Sequence, residues 1–220
     1  MTDVTKTFRV SAAISLATCL LLTSCGGDNS DDADDDATPT PTPTETLPPG
    51  VVLTEPGTEL AFGESGTVEF TPSEASDPTY LKFTVKDATL GRLSDLEGFA
   101  LDTPYKREAN YYFVNVSVEN LGDVDLGGRD VPLAGVNAED RLLPPVVFRS
   151  AFEKCPSQQL PKSFGLGATL DTCLVFLSPD HGDLSAVSTL TDGTVEAVIW
   201  TGEVQQPPPV KKPGKKKNRR

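Results

Sequence analysis

The middle of the chain alternates. Leu81, Phe83 and Val85 fall on one side of an extended backbone, and Lys82, Thr84 and Lys86 on the other. A period of two over that length predicts a half-buried strand from Tyr80 to Leu90. The same pattern returns from Ala109 to Leu121, where Tyr112, Val114, Val116 and Val118 share one face. Tyr111, Phe113, Asn115, Ser117 and Glu119 share the opposite face. The β-branched residues here disfavour a helix, because two heavy atoms on Cβ crowd the preceding turn. Asn120-Leu121-Gly122-Asp123 supplies a turn directly after.

Shorter segments complete the series. Thr58–Phe70 holds two runs punctuated by glycine. Leu142–Phe148 is broken by Pro144-Pro145, which predicts an edge strand. Thr169–Leu177 stops at Ser178-Pro179, Leu184–Leu190 is a weak strand, and Thr194–Thr201 is a final one. Phe99–Arg107 has room for a single helical turn. About seven short strands with Gly, Pro and Asp turns between them predict an all-β, immunoglobulin-like antiparallel β-sandwich. No internal repeat is visible.

The ends of the chain follow other patterns. Lys6 and Arg9 precede an apolar run from Val10 to Leu22. That run is too short for a permanent membrane span, which takes roughly 20 residues, and it reads as a signal-peptide core. Leu22-Thr23-Ser24-Cys25 then resembles the bacterial lipobox, an aliphatic residue and two small residues before a cysteine. The resemblance implies cleavage before Cys25, which becomes the mature N-terminus, takes a diacylglycerol on its thiol and so carries acyl chains such as palmitate. Two or more chains anchor stably where one is marginal. The alternative is an ordinary secretory signal with an incidental cysteine. Residues 1–24 are therefore expected to be removed, which leaves 196 of the 220.

Residues 25–57 read as a stalk. Six aspartates lie between Asp28 and Asp36, and TPTPTPTETLPP follows. Such a composition cannot bury a core, and the prolines favour an extended chain reaching roughly 60–80 Å. The aspartate run lacks the spaced ligands and turn glycine of a calcium loop. Residues 58–204 are the expected domain, and 205–220 form a second unfolded segment, QQPPPVKKPGKKKNRR.

Charge and cysteines narrow the setting. Between Val51 and Val204 there are 24 acidic and 10 basic residues, which argues against nucleic acid as a partner. Once Cys19 leaves with the signal and Cys25 takes lipid, Cys155 and Cys173 remain. An even pair outside the cytoplasm predicts a disulfide; their separation fits neither a zinc finger nor a C-x-x-C redox motif.

Chemistry is sparse. His181 is the single histidine, in a Ser-Pro-Asp-His-Gly-Asp turn. Asp180, His181 and Asp183 could meet a metal together, but one histidine without a second supports zinc poorly. Gly63-Glu64-Ser65-Gly66 is one residue short of a nucleophile elbow, and no phosphate loop or dinucleotide fingerprint occurs. The many carboxylates are compatible with a solvated acidic surface. Asn115-Val116-Ser117 matches a glycosylation string by chance in mid-strand. No enzyme, metal or cofactor is expected.

The segment YYFVNVSVENLGDVDL, from Tyr111 to Leu126, resembles the telokin-like immunoglobulin-type domains of bacterial surface lipoproteins. Their signature is an aromatic-rich strand of alternating valines ending in Asn-x-Gly-Asp. Gly165–Pro179 resembles a second landmark of that family, a glycine turn leading into a strand that ends near proline. The resemblance covers roughly Thr58–Thr201 and implies a cysteine pair in this region, as Cys155 and Cys173 provide. The family has no agreed function and no catalytic residues to carry over.

Together these readings predict a lipoprotein on the extracytoplasmic face of the cell membrane, presenting its domain to a protein or glycan. A second reading makes it a structural spacer, with Lys211, Lys212, Lys215, Lys216, Lys217, Arg219 and Arg220 binding anionic lipid or wall polymer. A third makes it an unrecognised hydrolase.

Overall fold

The computed structural model describes residues 47–73, 77–148, 150 and 152–207. Within these residues ten strands form an all-β, immunoglobulin-like sandwich of two sheets. They are β1 (Glu59–Ala61), β2 (Ser65–Phe70), β3 (Thr79–Leu90), β4 (Asn110–Asn120), β5 (Leu133–Asn137), β6 (Leu142–Leu143), β7 (Thr169–Ser178), β8 (Leu184–Thr189), β9 (Ile199–Thr201) and β10 (Val204–Gln205). One sheet runs β1-β9-β8-β5-β6. The other runs β10-β3-β4-β7, with β2 also on the β10 side of β3. Most pairings are antiparallel; β1 with β9 and β10 with β3 are parallel.

The predicted alternation sets the core. Leu81, Phe83 and Val85 of β3, Val114, Val116 and Val118 of β4, and Leu174 and Phe176 of β7 all point between the sheets. Trp200 is buried there from the opposite sheet, edge-on to Phe83, and its indole N–H donates to the Glu64 carbonyl at 3.0 Å. A bulge between Val85 and Asp87 shifts the register of β3. That extra residue changes the parity of the strand, so Ala88 rather than Asp87 continues the buried face.

The outer face of the β3-β4-β7 sheet carries a second apolar layer. Tyr111 and Phe113 of β4 and Cys173, Val175 and Leu177 of β7 are covered by Leu96, Phe99 and Leu101 from one connection and Val146, Phe148 and Phe152 from another. The rings of Phe99, Phe148 and Phe152 stand about each other at centroid distances of 4.9 to 5.4 Å. The disulfide Cys155–Cys173 fastens this cover to β7. The Val146 amide donates to the Val175 carbonyl and the Ser157 amide to the Cys173 carbonyl, so the same segment closes the free edge of β7.

Two expectations need correction. The final strand begins at Ile199 and not Thr194, because Asp192 Oδ1 accepts from the Thr194 amide and hydroxyl and holds the preceding residues in a turn. The Leu142–Phe148 strand shrinks to two residues, with one further bridge from Pro145 to Phe176. The weak strand expected at Leu184–Leu190 is present as Leu184–Thr189 and lies between β5 and β9. The predicted helical turn is present at Pro104–Arg107, capped by the Thr103 side chain. Two strands, β5 and β10, were not predicted.

Candidate functional site

β3 connects two poles of the sandwich. Its twelve residues at about 3.3 Å each place those poles roughly 36 Å apart.

At the entry pole, β3 starts, β4 ends and the chain arrives through Leu47 and Pro48. Asn120 organises this end. It is fully buried, and its Oδ1 accepts from Thr79 Oγ1 at 2.8 Å and from the Gly122 amide at 3.1 Å. Its Nδ2 donates to the Val124 and Phe164 carbonyls, each at 2.8 Å. All of the amide's polar capacity is used to tie the 121–124 turn to the Phe164 loop. Gly122 is required beside it, since a Cβ there would sit 2.2 Å from Thr79 Oγ1. The Asn-x-Gly-Asp signature is thus a structural knot. An open recess of ≈ 420 Å³ lies against it, walled by Pro48, Pro78, Tyr80, Leu121 and Leu166, with Asp123 as its single charge.

At the far pole, β3 and β7 end, β4 and β8 begin, and the chain leaves through Gln205. Here the Pro179–Gly182 turn carries two successive residues at positive φ, Asp180 at 53° and His181 at 55°. Left-handed backbone is uncommon for residues with a side chain and persists only where neighbours hold it. The holders are visible. The His181 amide donates to the Glu108 carbonyl at 2.8 Å. Asn110 Nδ2 donates to the His181 carbonyl at 2.9 Å, and Tyr112 Oη to the Gly182 carbonyl at 2.9 Å. His181 itself projects as an exposed turn residue. Among the described residues, no three His, Cys, Asp or Glu side chains gather as a metal cage, and Asp180, His181 and Asp183 are not brought together as one.

A small recess of ≈ 130 Å³ opens beside this turn, walled by Leu90, Tyr112, Asp183, Leu184, Val204 and Gln206. Burial raises the Tyr112 phenol above its ordinary pKa, and the Asp183 carboxylate beside it adds to that. The displaced carboxylates move the other way. Asp171 is lowered by the hydrogen bond from Lys86, and Asp125 by the Phe164 and Gly127 amides. Those are the directions of ion pairs and turns, opposite to what a general acid requires.

Gly63–Gly66 lies at the start of β2, where Ser65 Oγ pairs with Thr84 Oγ1 and has no histidine beside it. Asn115 lies on the outer face of β4 and donates to Asp87. Leu22, Thr23, Ser24 and Cys25 lie outside the described residues, as do Lys211, Lys212, Lys215, Lys216, Lys217, Arg219 and Arg220. Among the described residues, no helix is long and apolar enough to cross a membrane. The pole-to-pole arrangement was not legible in the sequence, since it depends on which edge of β3 receives β10.

No family model matches the chain, and no curated protein matches it. Among solved structures, an uncharacterized beta-sandwich protein from Clostridium difficile 630 aligns over 71% of this chain and 100% of its own, at 11% identity and a TM-score of 0.36.

Proposed function

We propose that this chain is an envelope lipoprotein. Acyl chains on Cys25 hold it at the extracytoplasmic face of the cell membrane, and its non-catalytic sandwich is presented to a protein or glycan. The observation that supports this reading is the separation of the poles. The stalk joins at Pro48, on the wall of the entry-pole recess, while Gln206 lies on the wall of the recess at the far pole. The 91–108, 138–141 and 179–183 loops lie at the pole opposite the one where the stalk joins. Leu93 and Tyr105 leave large apolar surface exposed on those loops. The likeness of Tyr111–Leu126 to telokin-like domains of surface lipoproteins points the same way.

A photo-reactive amino acid in place of Tyr105, compared with one in place of Leu166 at the entry pole, tests the reading in intact cells. The expected result is a discrete cross-linked envelope component from position 105 alone. Equal capture from both positions, or none from 105, overturns it.

The exit of the basic tail at the far pole favours a second reading, a spacer that bridges membrane and anionic wall polymer. Fourteen residues follow Gln206 and span at most about 48 Å. Returning past the roughly 36 Å of the domain would use most of that length before the stalk is counted. A polymer beyond the far pole is therefore a nearer partner for Lys211–Arg220 than the headgroups. Deleting Lys211–Arg220 should abolish binding to inorganic polyphosphate and leave the fold intact; unchanged binding contradicts the spacer reading.

A further inference from the structure

The space above the Gly182 Cα, in the far-pole turn, is flanked by three oxygens. Gly182 has φ −64°, a backbone open to any residue, so its glycine answers to space. A Cβ there would sit 2.6 Å from Ser178 Oγ, 3.1 Å from the Pro179 carbonyl oxygen and 3.7 Å from Glu139 Oε2. Ser178 is fully buried, and its Oγ has no hydrogen-bond partner among the described residues. Burying a hydroxyl without a partner is unfavourable, and most buried hydroxyls have one. Glu139 Oε2 does not bridge to Ser178 Oγ, though both lie within 3.7 Å of one point. The Pro179 carbonyl accepts from the Gly182 amide at 2.9 Å and keeps a second lone pair. The Ala138 amide donates to the Asp183 carbonyl at 3.1 Å, so the 138–141 loop and the 179–183 turn are neighbours. These two segments expose Glu139, Asp140, Asp180 and Asp183, with Arg141 as their one Lys or Arg.

We propose that Glu139, Ser178 and the Pro179 carbonyl form a calcium site at the far pole, with the ion beside Gly182 and between the Ser178 hydroxyl and the Glu139 carboxylate. Two oxygens on one Ca²⁺, each at about 2.3–2.6 Å, stand roughly 3–5 Å apart, so a single ion spans the interval these side chains leave. The donors are a carboxylate, a hydroxyl and a carbonyl. Such hard oxygens, without nitrogen or sulfur, suit calcium over zinc or copper. Glu139 is exposed, so its carboxylate swings onto the ion and water completes a shell of about six to eight ligands. A mobile surface carboxylate also suits calcium better than magnesium, which demands a near-ideal octahedron. The neighbouring carboxylates add attraction without touching the ion. Bound calcium gives Ser178 Oγ the partner it lacks and ties the 138–141 loop to the 179–182 turn. With three protein oxygens the affinity falls among those of extracellular calcium modules, about 0.1–1 mM. The site is not the Asp180, His181 and Asp183 set, and it does not rest on the reading of the chain as a lipoprotein.

Calcium titration of the full mature chain, followed by amide NMR shifts, tests it. The expected result is saturable movement of the Glu139, Asp180 and Gly182 amides with a Kd of about 0.1–1 mM. Glu139→Gln, in an exposed loop, should weaken binding about tenfold or more. Ser178→Ala loses no protein hydrogen bond, so it should keep the calcium-free Tm of the wild type and still bind about threefold or more weakly. A drop in that Tm means that Oγ is already partnered, and overturns the site. Asp123→Asn, at the entry pole, should bind as the wild type does. Absence of saturable movement at these amides overturns the site, as does equal movement with magnesium at the same ionic strength, which marks screening of an acidic surface. Loss in Glu139→Gln with unchanged binding in Ser178→Ala leaves only an acidic loop and overturns it too.

Discussion

Replacing Asn120 with alanine should cost far more than its position at the end of a strand suggests. The amide is fully buried and serves four partners: Thr79 Oγ1, the Gly122 amide, and the carbonyls of Val124 and Phe164. Alanine leaves all four without their partner, mostly in surroundings that water does not reach. Each buried polar group left unsatisfied costs on the order of 1–3 kcal/mol, and partial relaxation of the turn recovers some of it. A net loss of about 3–4 kcal/mol follows, and for a domain of this size that lowers Tm by roughly 6–16 °C. Asn115→Ala is the matched control. It lies on the same strand, but its amide makes one exposed hydrogen bond, to Asp87 at 2.8 Å, and its loss should cost about 0–1 kcal/mol. Urea unfolding of both variants, followed by the fluorescence of buried Trp200, gives the comparison. If Asn120→Ala falls within about 1 kcal/mol of Asn115→Ala, the knot does not hold the entry pole as argued.

The second apolar layer makes its own predictions. Phe152→Ala should destabilise by about 3–4 kcal/mol, since it removes a buried ring that packs on Phe99, Phe113 and Phe148. Its cost should add to that of Val116→Ala in the inter-sheet core, because the two lie on opposite faces of the sheet; a large coupling in a double-mutant cycle would contradict two separate layers. Replacing Cys155 and Cys173 together by alanine should cost about 3 kcal/mol and speed proteolysis within 144–157 before the rest of the domain. The Asp95 carboxyl experiences burial, which raises its pKa, but the Lys154 ammonium and the Arg92 amide more than offset this and hold it low. Its contribution is therefore present above the unfolded value near 4 and lost as pH falls through the lower folded value. Asp95→Asn should differ from wild type at neutral pH and converge with it in acid; a difference independent of pH would refute the assignment.

The sequence made the long strands legible because their faces differ. Val114, Val116 and Val118 against Asn115, Ser117 and Glu119 leave little ambiguity about a strand or its buried side. β5 was hidden for the opposite reason. Leu133–Asn137 is buried on both faces and carries Gly135 at its centre, so nothing alternates. That glycine is needed because a Cβ would meet Leu184 at 2.9 Å and Phe176 at 3.0 Å, a demand set by packing between sheets. β10 is two residues long and pairs in parallel with a distant strand, which no local pattern encodes. The aromatic residues Tyr111 and Phe113 were visible on the outer face of β4, but their cover comes from residues 96–101 and 146–152. The cysteine pair could be joined by counting, and the structure adds what it fastens. The far-pole clamp was the least legible part. Asn110, Tyr112 and Glu108 meet the 179–182 turn only after β4 and β7 have paired along their whole length.

The central claim is an anchored chain whose domain folds outside the cytoplasm, and the intact mass of the protein from the membrane fraction tests it most directly, with Cys25→Ala beside it. The account predicts a wild-type chain that begins at Cys25, is heavier by its acyl groups, and is lighter by the two hydrogens lost on joining Cys155 to Cys173. The Cys25→Ala chain should carry no acyl mass and leave the membrane. A wild-type chain without acyl mass, released to the medium, would contradict the anchor and leave a secreted sandwich with the same two poles.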